Sequence, residues 1–136
     1  VQDQMDEIVA IDTNSTLDMY VTVSKDGTIA VRCLRTSKLW QLFKLCIPKE
    51  IKGTQNLIYG FSKIFRHVDH VKLSLHGYIV IIGKTSTQNL VRYLVFSLNG
   101  DLLQNVLEDC DLVNVFLSNK EDSLIVCYNK KKNDVI

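Results

Sequence analysis

The chain has 136 residues, of which 46% are hydrophobic and 23% are charged, and 16 Lys and Arg residues against 15 Asp and Glu residues give a formal net charge of +1. This composition supplies enough apolar material for a packed core and is not that of a disordered chain. The charge balance lacks the basic surplus typical of nucleic-acid binders, so we expect no nucleic-acid partner.

The first third of the chain predicts four strands, because short runs rich in β-branched and aromatic residues alternate with turn formers. They cover residues 7–11, 19–23, 28–34 and 39–43. The Asp26-Gly27 pair predicts a tight hairpin between the second and third strands, since glycine tolerates the positive φ that such a turn needs. The four strands therefore form one meander, which we place at about residues 7–46.

The segment 48–66 separates this meander from the next and opens with the only proline of the chain. Its apolar residues recur at helical spacing, at Leu57, Ile58, Phe61, Ile64 and Phe65. The spacing predicts a short amphipathic helix. We expect this insertion to pack on the adjacent sheet as a lid. The alternative is an apolar docking patch for a partner, formed by Leu57, Phe61 and Phe65.

A second set of strands is predicted at residues 71–75, 78–82, 91–96 and 102–106. A third set begins with strands at residues 112–117 and 123–128, followed by a turn over residues 129–134. We therefore place the second meander at about residues 70–107 and the start of a third at about residues 112–136.

The predicted turn contains three consecutive lysines, Lys130, Lys131 and Lys132. Lysines at a hairpin tip keep the loop hydrated and discourage pairing between sheet edges. The alternative is peripheral contact with an anionic membrane or an acidic partner.

The meanders are repeats of one unit. Residues 31–39 and 95–103 share a strand-turn-strand phrase in which matching residues are 64 positions apart: Val31 and Val95, Leu34 and Leu98, Leu39 and Leu103. Ile79 and Leu124 occupy corresponding strands 45 residues apart, which fits the about 40–45 residues of a four-stranded propeller blade. The sequence predicts an all-β chain with about two and a half four-stranded antiparallel blades.

The turn Ser24-Lys25-Asp26-Gly27-Thr28 resembles the Ser-x-Asp-Gly-Thr turn of a WD40 repeat, whose following strand ends in Trp-Asp. The residues at the Trp and Asp places here are Arg32 and Cys33. The resemblance implies a WD40-like β-propeller segment that binds other proteins.

A Gly-x-Ile-Val strand at residues 77–80, followed by a Phe-Ser-Leu-Asn-Gly hairpin at residues 96–100, is similar to the C-terminal propeller of BEACH-domain proteins, the neurobeachin and lysosomal-trafficking-regulator group. This resemblance implies a large cytoplasmic scaffold in vesicle and membrane trafficking, peripheral to vesicle membranes. Because the chain starts at Val1 without an initiator Met and stops at Ile136, we expect a piece of a larger protein. An open propeller fragment exposes blade faces, so we expect the isolated fragment to self-associate.

The sequence contains few residues in patterns typical of metal binding, cofactor binding or catalysis. The cysteines, Cys33, Cys46, Cys110 and Cys127, contain no C-x-x-C pair, so we expect reduced structural thiols and no zinc ribbon. No phosphate-binding or nucleophile motif is present, and we expect no cofactor and no enzymatic activity.

The three histidines fall at His67, His70 and His76, with Asp69 beside them. On an extended strand with a rise of about 3.3 Å per residue, His70 and His76 lie too far apart to share a metal ion, so we predict no metal site.

Two other interpretations stay open. A propeller-based enzyme would need acidic residues or histidines at the starts of its innermost strands, where Ile8, Val71 and Val113 stand. An unrelated small β-sandwich that binds a ligand or partner would make the repeat spacings coincidental.

Overall fold

The computed structural model describes residues 7–48, 57–85, 90–118 and 123–130. The strands in chain order are β1 Ile8–Asn14, β2 Met19–Ser24, β3 Thr28–Cys33, β4 Leu39–Lys44, β5 Cys46–Pro48, β6 Leu57–Tyr59, β7 His67–Leu73, β8 Ile79–Lys84, β9 Val91–Phe96, β10 Leu102–Glu108, β11 Cys110–Ser118 and β12 Ser123–Lys130. A single helical turn, α1 Phe61–Ile64, lies between β6 and β7.

These strands form two four-stranded antiparallel sheets and two smaller ribbons. The first sheet has the order β1-β2-β3-β4, and the second sheet has β7-β8-β9-β10, so each is a meander in which chain neighbours pair. The ribbons pair β5 with β6 and β11 with β12. The predicted all-β antiparallel class is confirmed, and none of the sheets closes on itself.

The strand boundaries of the first sheet follow the prediction closely, whereas β7 lies earlier in the chain than expected. It ends at Leu73, because Ser74 starts a turn: its amide donates to the Tyr78 carbonyl over 2.8 Å, and its hydroxyl accepts from the Tyr78 amide over 2.9 Å. Gly77 completes this turn with a φ of 87°.

The insertion does not form the predicted amphipathic helix; its described part contains the strand β6 and the single helical turn α1. Leu57 and Ile58 belong to β6 and pair with Pro48 and Ile47, so they are extended. Gly60, with a φ of 104°, then redirects the chain into one helical turn. No helix in the described ranges is long and apolar enough to cross a membrane.

The third set also extends further than predicted. Asn129 and Lys130, expected in a turn, continue β12 opposite Asp111 and Cys110. Lys131 and Lys132 lie outside the described residues.

One apolar core lies between the first and second sheets. The first sheet contributes the fully buried Val21, Val23, Ile29 and Val31. The second sheet contributes Val71, Leu73, Ile79, Ile81, Leu94 and Phe96. At its margin, the rings of Phe43 and Phe96 lie 5.5 Å apart.

The second sheet is buried on both faces. Its remaining apolar residues point away from the first sheet and form a second cluster, Val80, Ile82, Val91 and Tyr93. The β11–β12 ribbon approaches this sheet at β9. Burial on both faces explains why residues 79–82 are apolar without alternation.

The edge strands β1 and β7 meet along a seam between the sheets. The Leu73 amide donates to Asp12 Oδ2 over 2.7 Å, and Asn14 Nδ2 donates to the Leu73 carbonyl over 3.1 Å. Two side chains of β1 thus satisfy the main-chain groups at the end of β7, which would otherwise form an unpaired sheet edge.

Strand register shows how the two meanders correspond. In the first sheet one row across the strands reads Asp12, Val21, Val31, Gln41. In the second sheet the row through Val95 reads Lys72, Val80, Val95, Gln104. The counterpart of Val21 is therefore Val80.

Both meanders carry an irregularity at the start of their last strand. In the first, Arg32 pairs with Leu39 and Val31 with Gln41, so Trp40 is the extra residue; in the second, Leu103 is the extra residue. The counterpart of Leu39 is thus Leu102, and that of Trp40 is Leu103. Trp40 is 58% exposed and Leu103 is 50% exposed, so both bulges present an apolar side chain to solvent.

The hydrogen bond between Asp12 and the Leu73 amide at the seam should contribute measurably to stability. Replacing Asp12 by Ala leaves the Leu73 amide without its acceptor, and we expect the free energy of unfolding to fall by about 1–3 kcal/mol in urea denaturation. D12N retains a carbonyl oxygen and should lose less. The control is T13A, at the exposed neighbouring position, which should change stability by no more than about 0.5 kcal/mol. Equal losses in D12A and T13A would contradict the role of the seam.

Candidate functional site

The predicted docking residues of the insertion divide between surface and core. Leu57 is 45% exposed, whereas Phe61 and Phe65 are buried and belong to the core between the sheets. This is the packing expected of a lid. Phe61 and Phe65 therefore contribute nothing to an exposed patch, and a partner-binding role for Leu57 stays a prediction.

A pocket opens at the hairpin end of the first sheet, where the β1–β2 and β3–β4 turns lie. Its apolar wall consists of Leu17, Met19, Leu39 and Trp40, and its volume is ≈ 260 Å³. Small-molecule sites usually occupy about 300–1,000 Å³. The pocket is therefore slightly smaller than most such sites and large enough for a single side chain. We call it the hairpin pocket.

The two repeats differ at the turn that borders this pocket, where the second repeat has Gly77 and the first has Asp18. In the second sheet Gly77 has positive φ, and a Cβ there would lie 2.8 Å from Leu98 Cδ1, so Leu98 packs directly over it. When the two sheets are aligned by the rows given above, Asp18 of the first repeat is the counterpart of Gly77 in the second. Asp18 also has a positive φ, 56°. Asp18 therefore carries a side chain at the position where Gly77 has none. Leu34, the counterpart of Leu98, is exposed and does not line the pocket.

Asp18, on the polar side of the hairpin pocket, forms an ion pair with Arg35, which lies outside the pocket lining. Arg35 Nε lies 2.7 Å from Asp18 Oδ2, and the same carboxylate oxygen is 3.4 Å from Cys33 Sγ. The hydrogen bond from Arg35 holds the pKa of Asp18 below its ordinary value, and the Asp18 carboxylate raises the pKa of Arg35. Hydrogen bonds from Thr36 lower the pKa of the Cys33 thiol. The negative charge of Asp18 is therefore already neutralised by Arg35.

Lys38 is the second cation near the pocket and lines it directly. Unlike Arg35, its ammonium group has no ion-pair partner among the described residues. The hairpin pocket thus combines an apolar wall, a carboxylate that is paired with Arg35, and the unpaired positive charge of Lys38.

A second cavity, of ≈ 340 Å³, lies at the opposite end of the first sheet beside the Asp26-Gly27 turn and Tyr59. Its charged groups are used within the fold. Asp26 accepts from the Ser24 hydroxyl and, over 3.0 Å, from the Thr28 amide, and Lys44 Nζ donates to the Thr28 hydroxyl over 2.9 Å. The Ser24 hydrogen bond lowers the pKa of Asp26. This cavity offers a ligand fewer free polar groups than the hairpin pocket.

One of the three histidines, His67, lies beside a carboxylate. His67 Nε2 lies 3.0 Å from Asp69 Oδ1 on the surface of β7. Within the described ranges no group of three His, Cys, Asp or Glu side chains is placed to hold a metal ion.

Sequence reasoning missed Trp40 as a functional residue. It was expected only as part of a strand, yet it is the most exposed aromatic side chain among the described residues up to 109, and it borders the hairpin pocket. The signal was available in the sequence of β4. Alternate residues of a strand point to opposite faces, so Trp40 and Leu42 lie on one face, and Leu39 and Phe43 lie on the other. An edge strand apolar on both faces must expose one set.

The Asp18–Arg35 pair predicts a change in pH dependence. In R35A the pKa of Asp18 should rise towards its ordinary value of 3.8, as followed by NMR titration of its carboxyl carbon. Because the folded pKa of Asp18 is depressed, its stabilising contribution is complete above its ordinary pKa and disappears as pH falls through the lowered value. K38A, which leaves the ion pair intact, is the control. An unchanged pKa in R35A would contradict the pairing.

Comparisons with known proteins give little further guidance. No protein-family model and no curated protein matches the chain. A matching solved structure is the crystal structure of the computationally designed Ika4 protein, which shares 15% identity over 95% of each chain with a TM-score of 0.36. A likeness at this level carries no argument about fold or function.

Proposed function

We propose that the chain is a segment of a WD40-like propeller that acts as a non-catalytic scaffold for protein–protein interaction. The observation that carries this proposal is the exposure of Trp40, at 58%, beside an apolar pocket of single-side-chain size. Tryptophan is enriched among the residues that dominate binding energy in protein interfaces. Large apolar groups exposed beside a cavity are typical of surfaces that bind partners.

The repeat architecture supports the propeller part of the proposal. Two meanders with matching rows and matching bulges stack face to face, and the second sheet is buried again on its far side. In a simple two-sheet sandwich, the outer face of each sheet would be polar. The apolar cluster of Val80, Ile82 and Val91 therefore favours a stack of sheets over a β-sandwich.

The described residues give less support to an enzyme. The carboxylates near the two cavities are Asp18 and Asp26, and both are engaged by neighbouring side chains, Arg35 and Ser24. Catalytic groups usually converge on one concave site with a substrate position between them. The proposal therefore assigns binding, and not chemistry, to these cavities.

The proposed cellular location and the proposed role in trafficking rest on sequence resemblance alone. If the chain belongs to a BEACH-type protein, its place is in the cytoplasm, peripheral to vesicle membranes, within a scaffold for membrane trafficking. The basic residues Lys130, Lys131 and Lys132 then supply a weak attraction to anionic lipid. Self-association of the isolated segment also follows from the proposal.

A peptide-display selection tests the interaction function. A random peptide library is selected against the wild-type protein, W40A and the control Y59A, which alters an exposed aromatic residue of the other cavity. We expect wild type and Y59A to enrich the same peptides and W40A to bind them about 30-fold more weakly, the loss typical of a hot-spot residue. Failure of wild type to enrich any peptide, or equal enrichment by W40A, would overturn the proposed site.

A further inference from the structure

The charge distribution of the hairpin pocket restricts what it can bind. Among its charged groups, Asp18 is paired with Arg35 at 2.7 Å, whereas Lys38 has no ion-pair partner in the described ranges. The net charge of the three groups is therefore positive. Because Arg35 neutralises Asp18, a cationic ligand group in the pocket would meet the unpaired charge of Lys38, whereas an anionic one could pair with it.

The apolar wall restricts the ligand in a second way. Leu17, Met19 and Leu39 line the pocket with Trp40, which is still largely exposed. Filling the pocket with an aliphatic or aromatic side chain would bury apolar surface on both partners, including part of the indole. The volume of ≈ 260 Å³ accommodates one such side chain.

We propose that the hairpin pocket binds an extended segment of a partner protein in which an apolar anchor side chain is followed closely by Asp or Glu. The anchor enters between Leu39 and Trp40, and the carboxylate pairs with Lys38. This inference rests on the proposed scaffold function and specifies the chemistry of its partner. It requires no group beyond the described residues.

The concave shape favours a peptide segment over a membrane or a second copy of the chain. A membrane surface is flat and attracts clusters of lysines, whereas here a single unmatched lysine lines a recess. The exposed apolar residues of the first sheet, such as Ile11 and Leu42, belong to β1 and β4, which are already paired within the sheet and cannot enter a pocket as an extended segment.

The test uses two labelled synthetic peptides that share a leucine anchor and differ only in the flanking residues, two Glu in one and two Lys in the other. Affinity is measured by fluorescence anisotropy for wild type, K38E, W40A and the control K25E, at an exposed lysine of the opposite turn. We expect wild type and K25E to bind the Glu peptide about tenfold more tightly than the Lys peptide. K38E should lose or invert this preference, and W40A should weaken both peptides.

The outcomes separate this inference from the proposed function. Equal affinity for the two peptides, with binding still dependent on Trp40, would overturn the acidic partner and leave the scaffold intact. No binding of either peptide, together with an empty display selection, would overturn both. Tighter binding of vesicles made of phosphatidylcholine and phosphatidylserine than of the Glu peptide, abolished in K38E, would assign the pocket to a membrane and overturn the inference.

Discussion

The packing of the first sheet against the second is the interaction on which the rest of the structure depends. Neither meander can bury its apolar face alone, and burying one Val, Leu or Ile side chain contributes about 1.5–3 kcal/mol. The side chains of Val21, Ile29, Ile81 and Leu94 are removed from water only because the two faces meet. The Asp12 seam, the Phe43–Phe96 ring contact and the lid provided by α1 all form at the margins of that contact.

The same packing explains how a repeated unit produces a local site. The second repeat closes its hairpin by laying Leu98 over Gly77, which has no side chain to obstruct it. The first repeat carries Asp18 at that position, and its carboxylate is directed to Arg35. The hairpin end of the first sheet is consequently open, and Trp40 stands beside it. The pocket that we propose as a binding site thus lies where one copy departs from the pattern of the other, without any change in strand order.

Much of the fold followed from the sequence, because strand and turn signals are local. The Asp26-Gly27 turn and the strands β2, β3 and β4 were placed to within one residue, whereas β1 runs three residues beyond its predicted end. The insertion was harder, since Leu57 and Ile58 fit helical spacing, and only their pairing with β5 makes them extended. The candidate site was missed because the alternation of β4 exposes Trp40 only once the strand is known to lie at the edge of the first sheet, which follows from the strand order.

A double-mutant cycle across the sheet interface tests the central claim, that the two meanders stack face to face. Phe43 of β4 and Phe96 of β9 belong to different sheets, and their ring centroids are 5.5 Å apart. The free energies of unfolding of F43L, F96L and the double mutant should give a coupling of about 0.5–1.5 kcal/mol, as expected for an aromatic pair. Additive losses, with no coupling between the two positions, would contradict the stacked arrangement and the account of the pocket built on it.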